Sequence, residues 1–180
     1  MAEVYKIVVT GPFDSGKTTF IGSISEIDVV STERTTRVGG KRHSTTVAMD
    51  FGRITLREGR VLFLYGTPGQ GRFDFMWEIL SEGMLGYVLL LDGSRPDTFE
   101  EGLRILDAFE RISEAPHVVA LTRPEAPGSL HASNAARRVP ALEGHTVCEC
   151  DARRLNDVKD VLLELLEAVL AGAEARAQAG

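Results

Sequence analysis

Val4 to Thr10 form an apolar, β-rich run that gives way to a glycine-containing loop and then to a stretch in which Phe20, Ile24 and Ile27 share one helical face. Val47 to Leu56 and Val61 to Tyr65 read as two strands joined by a turn at Glu58-Gly59-Arg60, an antiparallel hairpin. A second glycine-rich loop, Gly66 to Gly71, leads into an aromatic helix, and Tyr87 to Asp92 read as the next strand. Pro96 and Asp97 open a helix on which Phe99, Leu103, Leu106 and Phe109 recur at helical spacing. A strand at Val118 to Leu121 follows, then a loop punctuated by Pro124 and Pro127, a short Ala-rich helix to about Val139, and a strand at Thr146 to Cys150. In the final helix Val158, Val161, Leu165 and Val169 make one stripe, and its Ala/Gly tail after Gly172 is expected to fray. This alternation predicts an α/β fold: a doubly wound, mixed six-stranded sheet, mostly parallel with one antiparallel edge strand, and helices on both faces. One domain is expected over residues 1–172, with a frayed tail at 173–180. Residues 28–46 lack apolar periodicity and are long for a connection, which marks them as a functional segment.

At 180 residues the chain is long enough for one sizeable core and too short for two. Its net charge of -6 is the wrong sign for a default nucleic-acid binder. No apolar run approaches the roughly 20 residues of a spanning helix. Met1-Ala2-Glu3 lacks the regions of a signal peptide, and neither end carries a lipidation motif. A cytoplasmic protein with no nucleic-acid partner and no intrinsic membrane anchor is expected. Cys148 and Cys150, two apart in a strand-like run, read as small strand residues. His43, His117, His131 and His145 are scattered without metal-ligand spacing and read as solvent or packing residues.

Chemistry enters at Gly11-Pro12-Phe13-Asp14-Ser15-Gly16-Lys17-Thr18, which fits the phosphate-loop pattern G-x-x-x-x-G-K-S/T between a predicted strand and a predicted helix. There consecutive N–H groups and the helix N-terminus can face a polyphosphate. Gly11 and Gly16 permit the tight backbone path, Lys17 brings an ammonium to the β and γ phosphates, and Thr18 offers a hydroxyl to magnesium. Asp14, Ser15, Gly16, Lys17, Thr18 and Thr19 are therefore candidate nucleotide-binding residues.

Four further segments resemble the signature motifs of Ras-like small GTPases, the set covering Lys6 to about Leu166. Ser44 to Phe51 (S-T-T-V-A-M-D-F) resembles switch I, with Thr46 at the threonine that reaches magnesium. Gly66-Thr67-Pro68-Gly69-Gln70 resembles the D-T-A-G-Q stretch of switch II. Leu121-Thr122-Arg123-Pro124-Glu125 occupies the place of N-K-x-D, and Cys150-Asp151-Ala152-Arg153 that of the T-S-A-K loop. The combination is most similar to a bacterial branch, the small GTPases of gliding-motility and conservon gene clusters related to MglA, whose members often work beside roadblock-type partners. The resemblance implies a single-domain P-loop GTPase fold and a molecular switch that binds GTP or GDP with Mg2+ and slowly hydrolyses GTP. Its switch loops would be about 31–46 and 66–77. Gln70 would be catalytic. Gly69, Thr122, Arg123, Glu125, Asp151, Ala152 and Arg153 would bind nucleotide, and Thr18 and Thr46 would hold the metal. Activating and exchange proteins are implied as partners.

Three departures from the family pattern bear on this reading. The family's metal aspartate is Gly66 here, and Asp50 on the neighbouring strand can supply the missing carboxylate, in registers that put it opposite Thr67 or Pro68. Glu125 can accept guanine's ring N–H and exocyclic amine from one methylene further out. Thr122 and Arg123 replace the usual Asn and Lys, which weakens guanine preference. Arg34, Arg37 and Arg42 lie in the expected switch I, but nothing in the sequence puts one beside a γ-phosphate. A nucleotide-occupied scaffold that no longer hydrolyses, and a P-loop kinase, remain alternative readings. On the aromatic helix Phe73, Met76, Trp77 and Leu80 form one arc, while Phe75 and Ile79 fall outside it and are expected to face a protein partner.

Overall fold

The computed structural model describes residues 3–31, 36–38, 41–43, 49–68 and 75–179. In chain order the strands are β1 (Val4–Thr10), β2 (Val30–Ser31), β3 (Thr36–Val38), β4 (Lys41–His43), β5 (Asp50–Thr55), β6 (Val61–Gly66), β7 (Gly86–Asp92), β8 (His117–Thr122) and β9 (Val147–Cys150). The helices are α1 (Lys17–Ile24), α2 (Phe75–Ser81), α3 (Phe99–Ile112), α4 (Ala135–Arg138) and α5 (Leu155–Ala179). The main sheet runs β2-β5-β6-β1-β7-β8-β9, with β3 and β4 forming a separate two-stranded ribbon. β1 pairs in parallel with β6 and β7, and β8 continues the parallel order to β9. β5 is antiparallel to β6, as the hairpin pattern predicts. The expected α/β architecture of six principal strands is present. The two-residue β2 extends it past β5, so the antiparallel strand is next to the edge.

Period-two alternation explains the layers. Along β7, Val88 and Leu90 enter one core with Phe20, Ile21 and the α5 stripe Val158, Val161 and Leu165. Tyr87, Leu89 and Leu91 enter the other with Leu80, Ile105, Leu106 and Phe109. All seven residues of β7 are buried, as a strand covered on both faces requires. α1 and α5 thus cover one face, and α2 and α3 the other. β1 lies where the chain order reverses, with β6 on one side and β7 on the other. The crevice at the carboxyl ends of such strands is where open α/β sheets bind ligands.

Several boundaries differ from the sequence reading. The turn Arg57–Gly59 takes two left-handed residues, Glu58 at φ 61° and Gly59 at φ 73°, and Leu56 N–H donates to Arg60 O at 2.8 Å. That turn, one residue earlier than Glu58 to Arg60, sets Asp50 opposite Gly66, not opposite Thr67 or Pro68. The Ala-rich helix is only α4, stopped before Pro140, with a short 3-10 turn at Pro140–Leu142. α5 continues past Gly172 to Ala179 where fraying is expected. One glycine weakens a helix by only about 1 kcal/mol, and five of the residues from 171 to 179 are alanine, the best helix former. Cys148 and Cys150 are free thiols in β9, both pushed up to about 12 by burial, which fits their reading as strand residues. Among the described residues no helix is long and apolar enough to cross a membrane.

Candidate nucleotide site

The loop after β1 has the backbone its glycines predict. Gly11 has φ 144°, and a Cβ there would lie 2.3 Å from Leu90 O, so no side chain fits. Gly16 at φ 103° precedes the first turn of α1, whose Phe20 N–H donates to Gly16 O at 2.8 Å. Lys17 folds back into the loop, its Nζ donating to Gly11 O at 2.8 Å and Pro12 O at 2.7 Å. Burial pushes this ammonium down to about 8, against the opposing pull of the Asp50, Glu101 and Asp14 carboxylates.

Two glycines on the hairpin decide how α1 meets the sheet. A Cβ on Gly52 would stand 2.5 Å from Ile21 Cγ2, and one on Gly66 would stand 3.0 Å from Ile21 Cδ1 and 2.9 Å from Asp50 Cβ. With neither present, Ile21 presses onto β5 and β6, and Thr18, one turn earlier, reaches Asp50. Its Oγ1 donates to Asp50 Oδ2 at 2.6 Å. Asp50 is buried, and its carboxylate approaches the space a side chain on Gly66 would fill. Thr10 and Thr67 hydroxyls meet at 2.8 Å, and Thr67 N–H donates to Val9 O, fixing the start of the following loop.

Two adjoining cavities share Gly16 and Thr19. One, of about 280 Å³, is lined by Phe13, Asp14, Lys17, Thr18, Asp50 and Thr67. The other, of about 300 Å³, is lined by Thr122, Arg123, Glu125, Asp151, Ala152 and Arg153. Residues from five separate segments of the sequence therefore meet at the carboxyl end of the sheet. Ser15 is buried behind the cavities, and its carbonyl accepts from Thr122 Oγ1 at 2.9 Å, so the shorter Thr still ties its loop to the phosphate loop. Arg123, at φ 54°, donates to Asp92 Oδ2 at 2.6 Å and stands 3.5 Å from Asp14 Oδ2. Arg153 spans two carboxylates, bonding Asp151 Oδ2 at 2.8 Å and Glu125 Oε1 at 2.6 Å. These bonds hold the Asp151 carboxyl below the usual carboxylate range. Thr46, Gly69 and Gln70 lie outside the described residues.

The sequence reading missed Asp92, Phe13 and Arg95. Asp92 is buried at the end of β7, where it accepts from Ser94 N–H and Oγ as well as from Arg123. A lone acid closing an apolar run at a strand's carboxyl end was the available signal. Arg95, which reaches Asp14 Oδ2 at 3.3 Å, and the exposed Phe13 beside the phosphate cavity had none.

A phosphate loop at the switch point of an α/β sheet, with two contiguous cavities beside it, defines a P-loop nucleotide-binding protein. Residues 27–134 match the model of the family described as conserved hypothetical ATP binding protein, and the chain belongs to that family. It is also 34% identical over 97 residues to an uncharacterized protein of Methanocaldococcus jannaschii, a match covering 53% of this chain and 56% of the relative. The aligned region thus spans little more than half of that relative's length.

Proposed function

We propose that the chain is a guanine-nucleotide switch of the Ras-like kind, binding GTP or GDP with Mg2+ and hydrolysing GTP slowly. The observation that carries the reading is the pair of contiguous cavities, one built of Lys17, Thr18 and Asp50 and the other of Thr122, Glu125, Asp151 and Ala152. Carboxylates at the base end favour guanine, which offers a ring N–H and an exocyclic amine on one edge. Adenine turns a bare ring nitrogen toward the same oxygens. A second reading, adenine binding, is favoured by the family's description and by Arg153, which already occupies Glu125 Oε1. Nucleotide released by denaturing the purified protein and identified by chromatography separates them: GDP or GTP is expected, and an adenine nucleotide overturns the base assignment.

The donor set fits magnesium. A hydroxyl and a carboxylate oxygen 2.6 Å apart beside the phosphate loop are hard oxygen ligands of the type Mg2+ takes. Thr18 and Asp50 would hold it, with Thr46 as a third candidate, and the ion would neutralise phosphate charge. The chain's own part is to bind and orient. Loop amides and Lys17 receive the phosphates, and Gln70 orients the attacking water. No arginine is among the described residues that line the phosphate cavity, and turnover of the isolated chain is expected at about 10⁻⁴ to 10⁻³ s⁻¹, the range of unassisted Ras. Single-turnover phosphate release should fall about tenfold or more in Gln70→Leu. Equal rates would remove Gln70 from the mechanism and favour the scaffold reading.

Regulatory proteins would read the switch through α2. Met76 and Trp77 pack inward and Leu80 is buried, while Phe75 and Ile79 stand 64% and 65% exposed on the other face. Changing both to Ser is expected to shift Tm by less than about 2 °C, because little buried area is lost, and to weaken capture of activating or roadblock-type partners. A large drop in Tm would place both side chains in the core.

A further inference from the structure

At the opposite end of the sheet from the phosphate loop, two histidines 28 residues apart in sequence meet side by side. Tyr87 of β7 pairs with His117, the first residue of β8, and both strands run from there to Asp92 and Thr122 beside the nucleotide cavities, about 16 Å away. His145 lies in the loop before β9, and Glu110 in the last turn of α3. The sequence reads His117 and His145 as scattered solvent or packing residues, and the structure packs them together, His117 against Tyr87.

We infer that Glu110, His117 and His145 form a binding site for a divalent cation of the zinc class, separate from the nucleotide site. His117 Nε2 and His145 Nδ1 stand 2.9 Å apart, and Glu110 Oε1 stands 3.8 Å from each. The three ligand atoms are close enough that modest side-chain rotations, turning the two facing ring nitrogens toward a common point, bring each to the roughly 2.1 Å of zinc–imidazole and zinc–carboxylate bonds. Three protein ligands leave a further position for water. Two imidazoles and one carboxylate suit Zn2+, whereas Mg2+ prefers an all-oxygen set, so the two metals sort to opposite ends of the sheet.

The surroundings orient the ligands and leave a way in. The buried Tyr87 ring stacks on His117, with centroids 4.8 Å apart and planes 19° from parallel. Its hydroxyl is buried with no hydrogen-bond partner among the described residues. Glu110 is 43% exposed and the histidine side chains are 17% and 19% exposed, so an ion can enter from solvent past the carboxylate. Without metal, one proton lies between the two facing ring nitrogens. For zinc to take both facing lone pairs, the ring that donates this N–H changes tautomer and carries its proton on its other nitrogen, by exchange through solvent with no net proton released. The ion would then tie the end of α3 to β8 and to the loop before β9.

The test uses untagged full-length protein, stripped with chelator and then equilibrated with zinc chloride. Parent protein is expected to hold one more equivalent of zinc than His145→Ala, and saturating zinc should raise the parent Tm by about 5 °C while leaving the variant's unchanged. Glu110→Gln should weaken zinc binding at least tenfold. Equal zinc content in parent and His145→Ala, or a zinc-dependent Tm rise that survives in that variant, would show a plain histidine pair and overturn the site. Nucleotide affinity of each variant reports whether the fold is intact. If His145→Ala proves unstable, unchanged zinc affinity in the exposed Glu110→Gln overturns the proposal equally.

Discussion

Replacing Lys17 by Ala is expected to lower nucleotide affinity on the order of a thousandfold, with the fold retained. The ammonium is buried in the phosphate loop, where its hydrogen-bond partners among the described residues are oxygens: the carbonyls of Gly11 and Pro12 and, at 3.5 Å, Ser15 Oγ. Removing a buried cation that meets a phosphate forfeits about 4 kcal/mol of binding. Folding loses much less. Burial has lowered the amine from 10.5 to about 8, so the folded protein holds the charged form at a disadvantage relative to the unfolded chain. Between those two values the unfolded state binds more protons, and stability from this group rises with pH. Nucleotide affinity should move the other way. Above pH 8 the free protein must take up a proton to restore the ammonium, and Kd should rise about tenfold per pH unit in the parent. Lys17→Ala should show no such slope. Titration with a fluorescent guanine nucleotide from pH 7 to 9.5 checks both effects. Unchanged affinity in the variant would make the loop merely structural.

Asp50→Asn is expected to abolish most of the magnesium dependence of triphosphate binding, by about a hundredfold in the ratio of affinities with and without Mg2+. The carboxamide keeps the shape and can still accept from Thr18 Oγ1, so the contact between α1 and β5 survives. What it removes is the negative charge. In the parent that charge repels phosphate when no metal is present and attracts the ion when one is. The variant should therefore bind triphosphate slightly better in chelator and far worse, relative to the parent, in millimolar Mg2+. A magnesium dependence equal to the parent's would mean that Asp50 only anchors Thr18. Melting temperature is a useful second readout, since a packing role alone would lower it without changing the metal dependence.

The sequence by itself determined the order of elements, the phosphate loop and the faces of the long amphipathic segments. These follow from local rules: apolar runs of strand length, helical spacing, and glycines where the backbone must turn or approach closely. It also marked Asp50 as a candidate carboxylate close to the start of the second glycine-rich loop, because the hairpin brings the start of its first strand near the end of its second. The register itself needed the tertiary structure. Two left-handed residues at Glu58 and Gly59 shift the pairing so that Asp50 faces Gly66, and Ile21, fitting against Gly52 and Gly66, brings Thr18 to the same carboxylate. The ion pairs of Arg123 with Asp92 and of Arg153 with Glu125 were equally illegible, since long side chains choose partners from whatever distant segments packing brings within reach. The meeting of His117 and His145 makes the point most plainly. Spacing rules recognise metal ligands carried on one helix, hairpin or loop, whereas these two are brought together by the pairing of β8 with β9 and by the end of α3 folding over them.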